Sequence, residues 1–438
     1  MGWNQNSRLD FLHALIVEHT FKIDSYQNNT GDKSQINGHY YSDKAPGIVI
    51  LALPAFSISA MILEVLNVPI DSENGWFFSS WMTTIGSVSL ITALGGVGLF
   101  AFLCPLVGQR FAFITSLIAF LGAAPFPYAT MLFSHAAVAG LICIALWAIG
   151  DSAFLSKIAP DLATTPPLAD AFSYKKRHIL AGVCCGLAIS CEFTAGMAVT
   201  GVFALALLTH FKRGVIFALA AIPAILPVFV CNWVCFGNPL AFGYHNLALS
   251  SFQEMNNGFF GISFPPTLDS VYLILLSPER GLFFWTPFFA MAMVGGVVLC
   301  AKKCGIFLIT LYLTVFLHII FISGYYMPGG GNALGPRHLA CIEPFLIIFA
   351  AFGLKRYPIV GSTLGGISIL LTGTATLIDA MPTGGILNPL FNYYPALVLH
   401  GQLAHNILSE IGLPVGLGAG LIFLVILGTY IWTAKNKE

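Results

Sequence analysis

KKRHILAGVCCGLAISCEFTAGMAVTGVFALALLTHFKR, residues 175–213, is the stretch that decides the fold. Basic clusters close it at both ends, Lys175-Lys176-Arg177 and Lys212-Arg213. The 34 residues between them carry one acidic or strongly basic side chain, Glu192. Short basic loops of membrane proteins stay in the cytoplasm, so both ends belong on the same side of a bilayer. A single helix of this length would measure about 50 Å against a hydrocarbon core of about 30 Å. Two helices meeting near Cys191-Glu192-Phe193-Thr194 satisfy both constraints. That arrangement sets Glu192 at the apex, near the outer face.

The rest of the chain extends this pattern. Apolar segments run over 47–69, 81–104, 109–125, 131–150, 178–191, 192–210, 215–236, 281–301, 306–324, 337–354, 359–379 and 413–433. Only 9% of the 438 residues are charged, against roughly 25% in soluble domains, too few to clothe a water-facing surface. Backbone groups in lipid must be satisfied within their own segment, and these runs are continuous rather than alternating. The fold expected is therefore all-α, a polytopic integral membrane bundle of about eleven passes plus a juxtamembrane segment. A net charge of zero gives no nucleic-acid surface. The ten cysteines all fall in apolar segments or at their ends and form no Cys-x-x-Cys metal pair.

Placing Arg110, Lys175–Arg177, Lys212-Arg213, Lys302-Lys303, Lys355-Arg356, Lys435 and Lys437 in the cytoplasm leaves loops 70–80, 126–130, 237–280, 325–336 and 380–412 outside. Segment 47–69 contains Pro54 and Glu64 and is read as juxtamembrane. The chain then divides into an outer loop with that segment (1–80), a transmembrane domain (81–433) and a cytoplasmic tail (434–438). With that loop outside and no helix before it, the expectation is a first helix ahead of residue 1, the alternative being an N-terminus translocated after synthesis.

Charges are scarce, so their positions mark candidate chemistry. The N-terminal loop holds Arg8, Asp10, Asp24, Asp32-Lys33 and Tyr40-Tyr41-Ser42-Asp43-Lys44, the last abutting the membrane segment. Tyr and Lys there serve either as an interfacial anchor or as part of a lipid-phosphate site. Arg280 and Arg337 each stand at an outer helix start, where a guanidinium offers a bidentate fork to phosphate or else pins a loop. His135, in the first turn of 131–150, is either a packed histidine or part of a site. Glu192 is an ionisable group inside a membrane hairpin, a costly placement usually kept for function. Phosphate-loop, His-Glu-x-x-His and Gly-x-Ser-x-Gly motifs are absent. Helix 81–104 has no Gly-x-x-x-Gly pair.

At these residues the chain resembles the C-type membrane glycosyltransferases, which use lipid-phosphate sugars. The likeness is to the bacterial aminoarabinose transferases and related envelope glycolipid transferases, with the protein O-mannosyltransferases further off. It is carried by Arg8, by Asn37-Gly38-His39-Tyr40-Tyr41-Ser42-Asp43-Lys44-Ala45-Pro46, by Phe126-Pro127-Tyr128-Ala129-Thr130, by Gly186-Leu187-Ala188-Ile189 and by Gly335-Pro336-Arg337-His338-Leu339. The resemblance implies a carboxylate that activates an acceptor hydroxyl and a polyprenyl phosphate that leaves. Arg8, Asp43, Lys44 and Arg337 would hold the donor phosphate, with a divalent metal possible, and Tyr41, Glu192, His135 and Arg280 are further candidates. Partners would be a polyprenyl-phosphate-linked sugar, a glycan, lipid or protein acceptor, and the bilayer, with the active site outside a bacterial inner membrane. The chain departs from the family at three places. The family's catalytic Asp falls at Gln5, its hairpin lysine at Glu192, and its acidic residue at the start of 131–150 at Ser134 or His135. Asp32, Asp24 or Asp10 would then have to be the base, Asp32 first.

Two other classes compete with the enzyme: a transporter or flippase, and a non-catalytic membrane subunit. Transporters carry inverted repeats and paired interrupted helices, and only one interrupted hairpin is visible here. Gln5 and Glu192 are what favour the non-catalytic subunit.

Overall fold

The computed structural model describes residues 2–162, 166–256, 261–302 and 304–404, with isolated positions between 409 and 428. Apart from those positions the expected last helix, 413–433, and the tail, 434–438, lie outside the described residues. The N-terminal loop folds as α1 (Trp3–Ile16), then β1 (Lys33–Ile36) and β2 (His39–Ser42), followed by α2 (Gly47–Val65). The bundle continues with α3 (Glu73–Thr84), α4 (Leu90–Val107), α5 (Gln109–Leu121), α6 (Pro125–Ala129), α7 (Ser134–Ile149), α8 (Ser152–Ile158), α9 (Tyr174–Cys191), α10 (Gly196–Thr209) and α11 (Phe211–Phe236). After a long loop come α12 (Leu268–Leu275), α13 (Leu282–Trp285), α14 (Ala290–Cys300), α15 (Gly305–Ser323), α16 (Glu343–Arg356), α17 (Pro358–Ile378), α18 (Pro389–Asn392) and α19 (Tyr394–Leu399).

This is a helical, multi-pass membrane protein, and its N-terminal hairpin adds a small sheet to the all-α expectation. Five helical stretches among the described residues are long and apolar enough to cross a bilayer: α2, α3 with α4, α11, α15 and α17. The pair α7 and α8 qualifies only together, across an 87° bend. Other expected crossings are shorter or broken, so this criterion does not reach eleven passes. Segment 281–301 splits at Thr286-Pro287 into α13, a 3-10 turn and α14, because proline brings no N–H to continue the helix. Pro54 does not interrupt α2, which runs through it for 19 residues. Helix α3 starts eight residues ahead of the expected 81, capped by the Ser72 hydroxyl, which accepts from the Gly75 N–H at 3.1 Å. Large apolar side chains stay exposed along α11 (Leu219, Ile222, Leu226, Val230) and α15 (Ile309, Leu313, Phe316, Leu317), as lipid-facing helices require.

The 175–213 stretch folds as expected. Helix α9 ends at Cys191, Glu192 is extended (φ −154°, ψ 115°), a 3-10 turn spans Phe193–Ala195, and α10 follows. The basic ends converge: Asp151 accepts from Arg177 at 2.6 Å and from Arg213 at 2.7 Å. Glu192 therefore lies at the other end of α9 from these arginines.

Close helix crossings form where glycines meet backbone. A Cβ on Gly95 of α4 would stand 2.3 Å from the Cα of Gly140 in α7. One on Gly295 of α14 would stand 1.7 Å from the Phe349 carbonyl of α16. On α9, Gly182 and Gly186 form a Gly-x-x-x-Gly pair, and a Cβ on either would stand 2.2 Å or 2.4 Å from the Phe217 or Ala221 carbonyl oxygen of α11.

Candidate functional site

Asn37-Gly38 is a two-residue loop with both residues at positive φ (52° and 81°), the geometry of a type I′ turn. It pairs Lys33 with Ser42 and Ile36 with His39. The next position beyond that register sets Asp32 opposite Asp43. Lys44 fills the gap, with Nζ 3.1 Å from Asp32 Oδ2 and 3.1 Å from Asp43 Oδ2. Burial pushes the Asp43 carboxyl up to about 6 even though Lys44 holds it down. Burial pulls the other way on Lys44, but the two carboxylates more than reverse it and keep the ammonium charged. The 237–256 loop seals this corner: the Ser34 hydroxyl donates to the Gly243 carbonyl at 2.7 Å, and Gly243 packs against the Asp43 backbone.

A second polar group joins three elements. Arg8, in the buried face of α1, donates from Nη2 to Ser134 Oγ at the start of α7 (3.2 Å). Ser134 Oγ donates to Glu192 Oε2 at the hairpin apex (2.7 Å). Arg8 Nη1 also donates to the carbonyl and side-chain oxygens of Asn4. Burial lowers the Arg8 pKa and the Glu192 charge opposes that; an arginine guanidinium is protonated throughout in proteins. His135 Nδ1 is 3.8 Å from Glu192 Oε2.

Both groups open on one cavity of about 780 Å³. Its polar wall holds Arg8, Asp32, Asp43, Lys44, His135, Glu192 and Arg337. An apolar wall comes from Phe193 at the hairpin tip, Phe242 and Phe252 of the long loop, and Phe321 and Ile322 of α15. The Arg337 guanidinium sits over the Phe133 ring at 5.4 Å, and its buried Nε has no protein partner.

Seven candidate residues from the sequence thus meet in one place, and four do not. Asp10 is fully buried in α1, accepts from Asn29 at 3.1 Å, and does not line the cavity. Asp24 lies on the exposed outer side of the hairpin, bonded to the Tyr40 N–H and the His39 ring, both at 2.7 Å. Tyr41 packs its ring against Phe236 at 6.0 Å. Arg280 is the loop-pinning residue: it donates to the carbonyls of Ala333, Gly331 and Pro382 and binds them together. Gln5 is off the cavity, with its amide against the Met381 sulfur. Tyr244, Tyr325, Tyr326 and His338 also line the cavity. His338 stood in a quoted sequence stretch, but nothing in its spacing placed it on this wall.

Among the described residues no group of three or more His, Cys, Asp or Glu converges on one point. Lys44 already occupies the place between the paired aspartates.

No protein-family profile matches the sequence, and no curated protein sequence matches it. The fold does match solved structures. ArnT from Cupriavidus metallidurans bound to undecaprenyl phosphate superposes with a TM-score of 0.50 at 13% identity, covering 86% of this chain and 61% of that one. Its apo form gives 0.48 at 15% over the same shares. The Archaeoglobus fulgidus oligosaccharyltransferase AglB, in complex with an inhibitory peptide and a dolichol-phosphate, gives 0.44 at 11%, over 88% of this chain and 53% of that one. The fold is thus similar to that of the ArnT structure with bound undecaprenyl phosphate, and the chain spans about three fifths of the length of the ArnT structures.

Proposed function

We propose that the chain is a membrane glycosyltransferase that moves a sugar from a polyprenyl-phosphate donor to a glycan, lipid or protein acceptor on the non-cytoplasmic face, in a bacterial inner membrane. The observation that carries this reading is the single cavity in which Lys44, Arg8 and Arg337 share walls with three carboxylates and an apolar flank. An isoprenoid chain suits the flank of Phe193, Phe242, Phe252, Phe321 and Ile322. Its phosphate suits Lys44 and Arg8, because charge-assisted hydrogen bonds are the strong ones. ArnT, whose fold this chain shares, was crystallised with undecaprenyl phosphate.

In this reading the chemistry is displacement at the anomeric carbon. An acceptor hydroxyl gives its proton to a carboxylate as it attacks, and the donor phosphate departs with the bonding electrons. A phosphate is already a good leaving group, so it needs fixed cations more than a general acid. Lys44 stays charged between Asp32 and Asp43, and Arg8 is fixed by Asn4 and Ser134, so neither has to reorganise as charge develops.

The test is to supply purified full-length protein with a panel of undecaprenyl-phosphate sugars and candidate acceptors, and to follow free undecaprenyl phosphate. Release with sugar transfer supports the proposal. Absence of release from every donor, with unchanged surface glycans in cells lacking the protein, would leave the non-catalytic subunit in its place.

A further inference from the structure

The reaction needs a base, and the position where the resemblance expects one holds Gln5, which has no proton-accepting carboxylate and does not reach the cavity. Three carboxylates line that cavity: Asp32, Asp43 and Glu192. Asp32 and Asp43 are spoken for. Each has an oxygen 3.1 Å from the Lys44 ammonium. An attacking hydroxyl would have to compete with that cation for the same lone pairs, and Lys44 would lose the partners that hold it in place for a phosphate.

Glu192 is arranged differently. No lysine or arginine among the described residues lies within ion-pair distance of it, and its near neighbours are Ser134 and His135. Its cation, Arg8, is one hydroxyl away. Arginine can only donate, so Ser134 Oγ accepts from Arg8 and must spend its single proton on Glu192 Oε2. The relay has one direction and leaves Oε1 with no donor from any described residue. The side chain is 18% exposed and lines the cavity. Its backbone is fixed by Glu192 N–H to Ala188 O (3.0 Å) and by Ala195 N–H to Glu192 O (3.0 Å). A carboxylate held on a rigid turn, satisfied on one oxygen and open on the other, has the geometry a general base requires.

We infer that Glu192 is the general base of this enzyme. The assignment rests on the glycosyl-transfer reading above. As the acceptor oxygen bonds to the anomeric carbon, its proton passes to Glu192 Oε1. The bond from that carbon to the phosphate oxygen breaks, and the electron pair leaves with the polyprenyl phosphate. Ser134 keeps its proton throughout and, with Arg8 behind it, holds the carboxylate in place. The charge reversal at the hairpin apex is then the compensation for the missing aspartate at residue 5.

Glu192→Gln separates this role from a structural one. The amide oxygen of Gln still accepts from Ser134, so shape and relay survive while basicity is lost. Two quantities are measured on purified full-length protein: binding of undecaprenyl phosphate by native mass spectrometry, and sugar release from an undecaprenyl-phosphate sugar that the wild type turns over. The expectation is binding within about threefold of wild type and transfer reduced by about 10²–10⁴-fold, the range a general base contributes, with Asp32→Asn losing less transfer than Glu192→Gln. Near-normal transfer by Glu192→Gln would overturn the assignment. So would loss of undecaprenyl phosphate binding along with transfer, which would make Glu192 a support for Arg8. A wild type that binds undecaprenyl phosphate but turns over no donor removes the transferase reading and the base with it, whereas an active wild type with an active Glu192→Gln removes the base alone.

Discussion

At the scale of single residues, the site depends on charges that only make sense together. Lys44 sits between Asp32 and a nearly buried Asp43. Lys44→Ala would therefore do more than remove a phosphate contact. It leaves two facing carboxylates unpaired, and breaking a buried ion pair costs about 3–5 kcal/mol. The variant should lose thermal stability as well as turnover. Adding Asp43→Asn should restore stability but not turnover, measured by melting in detergent beside undecaprenyl phosphate release. Recovered turnover would take Lys44 out of the phosphate site. Asp10 gives a prediction in pH. Burial raises its carboxyl from 3.8 to about 7, with Asn29 opposing the shift. The folded protein thus holds a proton that the unfolded chain releases near pH 4. The stability this contributes is complete below about pH 4 and is lost as pH rises through about 7. Asp10→Asn should flatten that part of the melting profile between about pH 4 and 7, and an unchanged slope would contradict the shift. Little of this pairing was legible in the sequence. Asp32-Lys33 and Asp43-Lys44 read as two local pairs, whereas the ion pair that matters crosses the hairpin from Asp32 to Lys44.

At the scale of elements, the sequence was read well where periodicity and charge act over long runs, and poorly where a turn decides. The hairpin break at Glu192 followed from length and two basic ends alone. The β-hairpin did not enter the all-α expectation, although Asn37-Gly38 is a strong two-residue turn signal. Short strands in a polar loop carry too little hydrophobic alternation to stand out beside membrane helices. Convergence of α1, α7 and the hairpin apex on one cavity is tertiary, and no local pattern encodes it. That convergence relies on close approach at Gly47, where an added Cβ would lie 2.3 Å from the Ser190 carbonyl carbon. Gly47→Ala should push α2 away from the hairpin tip, with an overpacking cost of about 1–3 kcal/mol, and shift Lys44 relative to Glu192. Melting temperature and undecaprenyl phosphate binding should both fall. Gly366→Ala, with open space around its Cβ, is the matched control and should change neither. Equal behaviour of the two variants would mean that α2 does not set the site.

At the scale of the whole molecule, the basic loops and the cavity occupy opposite ends of α7 and α9, so the side on which the cavity opens follows from topology. Single cysteines at the exposed positions Asn28, Asn74 and Asn256 should react with an impermeant thiol reagent in intact cells, and one at Ser156 should not. Labelling at 74 without labelling at 28 would show that α2, long enough to cross, does span the membrane from a cytoplasmic N-terminus. The most direct measurement uses Asn332→Cys, an exposed residue on the cavity wall, in a background without other cysteines. The account predicts that intact cells label this cysteine, and that undecaprenyl phosphate added to the purified protein slows its reaction while a neutral polyprenol does not. Labelling only in inverted membranes, or a rate indifferent to undecaprenyl phosphate, would contradict a lipid-phosphate site on the outer face.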